Sequence, residues 1–76
     1  MSITRVKTIR GLERGLAVIR LLRQRSASSL AELHSASHLP KATLERILLT
    51  LQREGFASQR IADGRWVPGH AVFDLG

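Results

Sequence analysis

Residues 40–54 carry the pattern that most restricts how this chain can fold. Pro40 suits the first position of a helix, where its missing N–H costs nothing, and Gly55 suits the left-handed cap that ends one. Between them, apolar residues recur at the i, i+3, i+4 and i+7 spacing that lines one face of a helix: Leu44, Ile47, Leu48 and Leu51. The segment therefore predicts one amphipathic helix with well-defined ends.

A shorter helix and a tight turn are predicted to precede this segment. Ser29 and Glu32 have the spacing of a capping box, and they open a helix that is predicted to run to about residue 37. His38 and Leu39 then form the turn. Two helices joined so closely are typical of a helix-turn-helix.

The N-terminal third is predicted to supply a basic arm, residues 1–10, and a helix over residues 12–25. Val18 and Leu21 widen the apolar stripe of this helix beyond what a small three-helix core requires. A second packing partner is therefore expected, and the predicted partner is the same helix in a homodimer. The stripe itself has helical spacing: Leu12, Leu16, Ile19 and Leu22.

A β-hairpin is predicted to follow the amphipathic helix. Asp63-Gly64 is a strong turn signal, and it lies between two short stretches, residues 56–61 and 65–67, with Pro68 ending the second strand. A helix-turn-helix followed by a hairpin is the order of a winged helix-turn-helix. The expected fold class is α+β, mainly α, with three helices plus a two-stranded β-hairpin wing.

Charge points to a polyanionic partner. Lys and Arg number 12 against 6 Asp and Glu in 76 residues, and the excess lies entirely in the first 25 positions. Nucleic acid is favoured over a ribosome-like or merely surface-basic domain. A chain of this length supports one small domain with a thin core.

Catalytic, metal and membrane functions find little support. The chain has no cysteine, which fits a reducing cytoplasm, and no apolar run long enough to span a bilayer. His34 and His38 have a spacing that can grip a metal, but no third ligand stands nearby. Without a phosphate-binding glycine loop or a paired-carboxylate site, no catalytic residue, metal or cofactor is expected, and the protein is not predicted to be an enzyme.

The starts of the helices and the wing are predicted to contact the DNA backbone. Leu39 is a poor cap, so the first N–H groups of the next helix lack a side-chain acceptor, which a phosphate can supply. Ser29 is predicted to combine capping with a backbone contact. Arg60 and Arg65 flank the wing tip, where they reach the minor groove or its phosphates, with a solvated role as the alternative.

The face of residues 40–54 opposite the leucine stripe is predicted to read bases. Arginine can donate twice to guanine O6 and N7, and glutamate can accept from cytosine N4. An ordinary solvated face is the alternative, and the order of the elements favours base reading. The complete set of predicted DNA-binding residues is Ser29, Lys41, Ala42, Thr43, Glu45, Arg46, Arg53, Arg60 and Arg65.

Several segments also carry a family resemblance. They are Arg10-Gly-Leu-Glu-Arg-Gly-Leu-Ala-Val, Leu30-Ala-Glu-Leu, Leu39-Pro-Lys-Ala-Thr, Leu51-Gln-Arg-Glu-Gly-Phe and, through the wing, Asp63-Gly-Arg-Trp with Gly69. Over residues 6–76 the chain resembles the N-terminal DNA-binding domain of IclR-type transcriptional regulators.

The resemblance implies DNA contacts at Ser29, Lys41, Thr43 and Arg46. It also implies palindromic operators, dimers or tetramers, and repression or activation of nearby genes. Residues 1–10 are then the basic arm, residues 11–69 the winged helix-turn-helix, and residues 70–76 the start of a linker. That linker leads to a C-terminal domain, absent from this sequence, which alone binds a small-molecule effector.

Two other functions fit some of these features. A winged helix can serve as a protein-interaction module, and the two-faced helix 12–25 suits that role. An amphipathic helix decorated with arginines can also lie on a membrane surface. The order of the elements and the resemblance favour sequence-specific double-stranded DNA binding by a bacterial transcriptional regulator, in which residues 40–54 enter the major groove.

Overall fold

The order of secondary-structure elements confirms the predicted winged helix-turn-helix. A computed structural model describes residues 7–74. Two strands pair antiparallel after three main helices, and a fourth short helix follows them. The elements are α1 (Arg10–Gln24), α2 (Leu30–Ser37), α3 (Lys41–Arg53), β1 (Ala57–Gln59), β2 (Trp66–Pro68) and α4 (Ala71–Asp74).

Helices extend into the segments that were predicted as the end of the arm and the start of the linker. Residues 1–6 of the predicted basic arm lie outside the described residues, and Arg10 already belongs to α1. At the other end, part of the predicted linker start forms α4, and residues 75 and 76 are not described. Phe73 of α4 lies 5.9 Å from the Arg23 guanidinium, measured to the ring centroid, so α4 reaches the last turn of α1.

The helix-turn-helix forms as the local sequence predicts. The Ser29 hydroxyl accepts from the Glu32 amide at 3.1 Å, and the Ser29 amide donates to Glu32 Oε1 at 2.8 Å, which confirms the capping box. His38 takes the left-handed conformation with φ 60°. Nδ1 of His34 lies 2.8 Å from the Leu39 carbonyl oxygen, and because that oxygen only accepts, Nδ1 carries the proton and closes the turn.

The core differs from the predicted stripe on α1. Val18 and Leu22 are fully or almost fully buried, whereas Leu12 and Leu16 are 58% and 44% exposed. The core gathers around the second half of α1, and the first half is separated from α3 by a groove. The remaining buried apolar residues are Leu33, Leu44, Leu48, Ala57 and Trp66.

The hairpin is shorter than predicted. Gln59 pairs with Trp66, and the chain then turns through residues 60–65, so β1 does not extend to Ile61, which is fully exposed. The Asp63 carboxylate accepts from the Arg65 amide at 3.0 Å and from the Arg60 guanidinium, and these side-chain bonds shape the longer loop. Pro68 ends β2 as predicted.

Backbone hydrogen bonds attach the wing to the helices. The Ser28 amide donates to the Trp66 carbonyl at 2.9 Å, and the Trp66 amide donates to the Ser28 carbonyl at 2.7 Å. After β2, the Gly69 amide donates to the Phe56 carbonyl at 3.0 Å. The wing is therefore tied to the loop before α2 and to the segment after α3.

We expect substitution of Gly69 to destabilise the fold. An added Cβ would lie 2.1 Å from the Gly55 carbonyl oxygen and 2.8 Å from the Ala57 amide nitrogen, so backbone would have to move. Gly69→Ala is expected to lower the free energy of unfolding by about 1 to 3 kcal/mol, as overpacking does.

Gly15→Ala is the matched control for Gly69→Ala. The added Cβ meets no other part of the structure within 4 Å, and Gly15 lies inside α1. Alanine there is expected to raise the free energy of unfolding by about 0.5 to 1 kcal/mol, because glycine loses more backbone entropy in a helix. Denaturant titration followed by circular dichroism measures both, and a Gly69→Ala variant as stable as wild type would contradict the close approach.

Candidate nucleic-acid interface

Helix α3 presents a charged face opposite its buried one. Leu44 and Leu48 are fully buried, and Ile47 and Leu51 pack beside them at the edge of the core. A helix turns 100° per residue, so the far side is occupied by other residues. The exposed residues on that side are Ala42, Arg46, Leu49 and Arg53, and Glu45 is exposed on its flank. The structure therefore gathers three of the predicted DNA-binding residues on one face and a fourth beside it.

The charges on this face have no partner within the fold. Among residues 7–74 the ion pairs are Arg60–Asp63 and Arg65–Glu32, and neither involves α3. The basic side chains that α3 leaves unpaired are Lys41, Arg46 and Arg53. Glu45 is also unpaired. These groups are available to a molecule outside the domain.

The first turn of α3 leaves backbone donors free. The N-cap residue of α3 is Pro40, one residue after the predicted Leu39. Its side chain makes no capping hydrogen bond, which confirms the prediction that this helix lacks a side-chain cap. The first helical hydrogen bond runs from the Leu44 amide to the Pro40 carbonyl at 2.9 Å. The amides of Lys41, Ala42 and Thr43 therefore have no intrahelical acceptor, and the helix dipole favours an anion beside them.

The wing arginines are already engaged inside the domain. Arg65 donates to Glu32 Oε1 at 2.8 Å and to the Ala27 carbonyl at 3.5 Å. Glu32 also accepts the Ser29 amide, and this bond, with the positive charge of Arg65, lowers the pKa of Glu32. Ser29, Glu32 and Arg65 therefore form one network that joins the start of α2 to the wing.

A groove between α1 and α3 adds a basic residue that the sequence analysis did not single out. Its volume is about 420 Å3, and Arg14 of α1 and Arg46 of α3 both line it, together with Thr43. In the sequence, Arg14 belongs to the charge excess of the N-terminal third and to the arginines of helix 12–25, but it was not predicted to contact DNA. Thr50 also lines the groove, but its hydroxyl donates to the Arg46 carbonyl at 2.8 Å.

The described residues offer no metal site and no membrane-spanning helix. Residues 7–74 contain no group of three or more His, Cys, Asp or Glu placed to hold a metal ion. No helix in this range is long and apolar enough to cross a bilayer. His34, one of the two histidines considered as ligands, instead closes the turn between α2 and α3.

Family comparison agrees with this geometry. Residues 11–60, more than half of the chain, match the family model described as the IclR helix-turn-helix domain. The chain belongs to the IclR helix-turn-helix family. The resemblance seen in the sequence is thereby confirmed, and the domain is the DNA-binding domain of a transcriptional regulator.

Two transcriptional regulators are similar to this IclR-family domain over most of its length. It is 39% identical over 71 residues to the glycerol operon regulatory protein of Streptomyces coelicolor, a match that covers 92% of this chain and 28% of that protein. It is 33% identical over 69 residues to the transcriptional repressor IclR of Escherichia coli, covering 90% of this chain and 25% of that protein. The chain thus spans about a quarter of the length of these relatives, which are regulators rather than enzymes.

Solved structures of other proteins share the fold. The crystal structure of Pseudomonas aeruginosa HmgR matches with a TM-score of 0.84 and 26% identity, covering 90% of this chain and 28% of that one. An IclR family transcriptional regulator from Brucella abortus matches with a TM-score of 0.83 and 28% identity, covering 92% and 27%. The winged helix-turn-helix of this domain is therefore that of IclR-family regulators.

The wing tip is expected to be sensitive to acid. The hydrogen bond from the Arg60 side chain, followed by that from the Arg65 amide, lowers the pKa of Asp63 from its ordinary 3.8 to about 2. A carboxyl with a lowered folded-state pKa stabilises the fold above its unfolded pKa and loses that contribution as the pH falls through the folded one. The wing is therefore expected to loosen between pH 3.8 and about 2.

NMR titration of the Asp63 carboxyl carbon measures this pKa directly. Arg60→Ala is expected to return the pKa of Asp63 toward its ordinary value, because the largest cause of the shift is removed. Arg53→Ala is the matched control, since Arg53 is an arginine without an ion pair in the described chain. A wild-type Asp63 that titrates at its ordinary value would contradict the paired geometry.

Proposed function

We propose that this IclR-family domain binds double-stranded DNA sequence-specifically, with α3 in the major groove of a palindromic operator, as part of a bacterial transcriptional regulator. The observation that carries the proposal is the exposed and unpaired face of α3, set opposite a fully buried leucine pair. The relatives named as an operon regulatory protein and a transcriptional repressor support it. Because bacterial chromosomal DNA lies in the cytoplasm, the proposed function places the protein there.

Base reading is assigned to Arg46, at the centre of the exposed face, and to Glu45 on its flank. Arg46 can donate twice to guanine O6 and N7, and Glu45 can accept from cytosine N4. Ala42 presents only a methyl group and allows α3 to approach the base edges closely. Both charged side chains are exposed and unpaired, so neither has to give up an internal bond to reach a base.

Backbone contacts are assigned to the rim of the same face. Lys41 and Thr43 flank the free amides in the first turn of α3, where a phosphate is favoured. Arg53 extends the positive charge to the last turn of the helix. Arg14, across the groove from Arg46, and Ser29, at the start of α2, add contacts on either side.

The wing is assigned to the neighbouring minor groove or its phosphates. A guanidinium has five N–H donors, and the internal bonds of Arg60 and Arg65 use only part of this set. The remaining donors can reach phosphate oxygens while the ion pairs hold each arginine in place. Preorganised side chains lose less conformational entropy on binding.

Helix α1, which covers most of the predicted dimer contact at residues 12–25, is proposed to join two copies. Leu12 and Leu16 are 58% and 44% exposed on its first half, and Ile9 beside them is 68% exposed. A two-fold dimer would cover this apolar surface and present two α3 helices to successive half-sites. A small-molecule effector would act through a further domain of the kind that the longer relatives have room for.

Selection of bound duplexes from a random library, at near-physiological salt, tests the proposed function. Non-specific electrostatic binding fades at that salt, whereas base reading persists. We expect enrichment of an inverted repeat, the pattern that a two-fold dimer reads. A library without enrichment would contradict sequence-specific binding and favour a protein-interaction module. Enrichment of a single half-site would contradict the dimer but not sequence-specific binding.

Arg46→Ala is expected to weaken binding to the selected duplex by about 1 to 3 kcal/mol, with little change on random DNA. The physical reason is the loss of two hydrogen bonds to one base. Fluorescence anisotropy titrations on both duplexes measure the difference. Arg25→Ala, which removes an exposed arginine just after the end of α1, is the matched control for charge. Equal losses on the two duplexes for Arg46→Ala would exclude it from base reading.

A further inference from the structure

Leu49 is an apolar side chain on the charged face of α3. It is 60% exposed, whereas Leu44 and Leu48 of the same helix are fully buried. The helical turn of 100° per residue places Leu49 on the side of Ala42 and Arg46, opposite the buried stripe. Packing within the domain therefore leaves most of this side chain exposed to solvent.

Leu49 also lies on the side of α3 that faces the wing. A groove of about 220 Å3 separates the two, and Leu49, Glu45 and Gln59 of β1 are among the residues that line it. The side-chain amide of Gln59 donates from Nε2 to the Gly64 carbonyl at 2.9 Å, which holds this side chain within the wing. An apolar group thus stands beside the unpaired carboxylate of Glu45, within the surface assigned to base reading.

We infer that Leu49 recognises the C5 methyl group of a thymine in the major groove. The inference rests on the proposed function and adds a specificity-determining residue to it. Thymine is the base that presents a methyl group on its major-groove edge, and apolar side chains recognise it by contact. The free charges of Lys41, Arg46 and Arg53 on the same helix favour polyanionic DNA as the molecule that covers Leu49.

Helix geometry limits where this thymine lies. Leu49 follows Arg46 by three residues and Glu45 by four, which corresponds to about 4.5 to 6 Å along the helix axis. Successive base pairs are about 3.4 Å apart. The thymine is therefore expected within about two base pairs of a position read by Arg46 or Glu45, on either strand.

Substitution of uracil for thymine tests the inference, because uracil lacks only the methyl group. In the selected duplex, each thymine is replaced singly by deoxyuridine, and the dissociation constant of the 76-residue chain is measured for each duplex. We expect wild type to bind about fourfold more weakly when one particular thymine of a half-site is replaced, as burial of one methyl group requires. Leu49→Ala is expected to bind the thymine and uracil duplexes equally.

Three controls separate methyl recognition from other effects. Leu49→Met keeps an apolar side chain and is expected to retain the preference for thymine. Phe73→Ala removes an exposed apolar residue of α4, which is 63% exposed, and is expected to leave the preference unchanged. Circular dichroism checks that each variant is folded. We expect all of them to fold, because Leu49 and Phe73 are both exposed.

The outcomes distinguish the two levels of the argument. A library without enrichment overturns the proposed function together with this inference. An enriched operator whose binding is insensitive to every uracil substitution, or a Leu49→Ala variant that still prefers thymine, overturns the role of Leu49 and leaves the proposed function standing. A thymine-dependent loss in wild type that vanishes in Leu49→Ala and persists in Leu49→Met supports it.

Discussion

Burial of Leu44 and Leu48 is the interaction on which the rest of this domain depends. Both side chains are fully removed from water against Val18, Leu22 and Leu33. Because a helix is rigid about its axis, burial of these two residues fixes the rotation of α3. The opposite side is then exposed along the whole length of the helix. Burial of this leucine pair therefore decides both the core and which face of α3 is exposed to solvent.

The wing is held to this core by polar bonds as well as by Trp66. The paired amides and carbonyls of Ser28 and Trp66 join β2 to the loop before α2. Arg65 repeats the connection through Glu32, which also caps α2. Such exposed ion pairs add little stability by themselves, and their effect is to set orientation. The start of α2 and the wing consequently keep a common position beside α3.

The charged groups of the wing and those of α3 differ in whether the fold pairs them. On the wing, opposite charges satisfy one another, so the loop has a defined shape. On α3, Lys41, Glu45 and Arg46 are exposed and have no ion pair among the described residues. A domain of 76 residues thus combines a wing whose charges are paired with a face of α3 whose charges are left to solvent.

Local signals in the sequence determined the helix-turn-helix. The capping box at Ser29, the turn at His38 and the cap after α3 depend on neighbours within a few positions, so spacing and residue type sufficed to predict them. The leucine periodicity likewise predicted which face of α3 is buried. The existence of the hairpin followed from Asp63-Gly64 for the same reason.

Only the tertiary structure decided the features that depend on distant residues. Periodicity on α1 is compatible with several rotations, and the positions of α2, α3 and β2 selected Val18 and Leu22 for the core while leaving Leu12 and Leu16 exposed. The Arg65–Glu32 pair joins residues 33 positions apart, and the groove that unites Arg14 with Arg46 spans two helices. Sequence spacing carries no information about such pairs, because packing of separate elements, rather than the local backbone, brings them together.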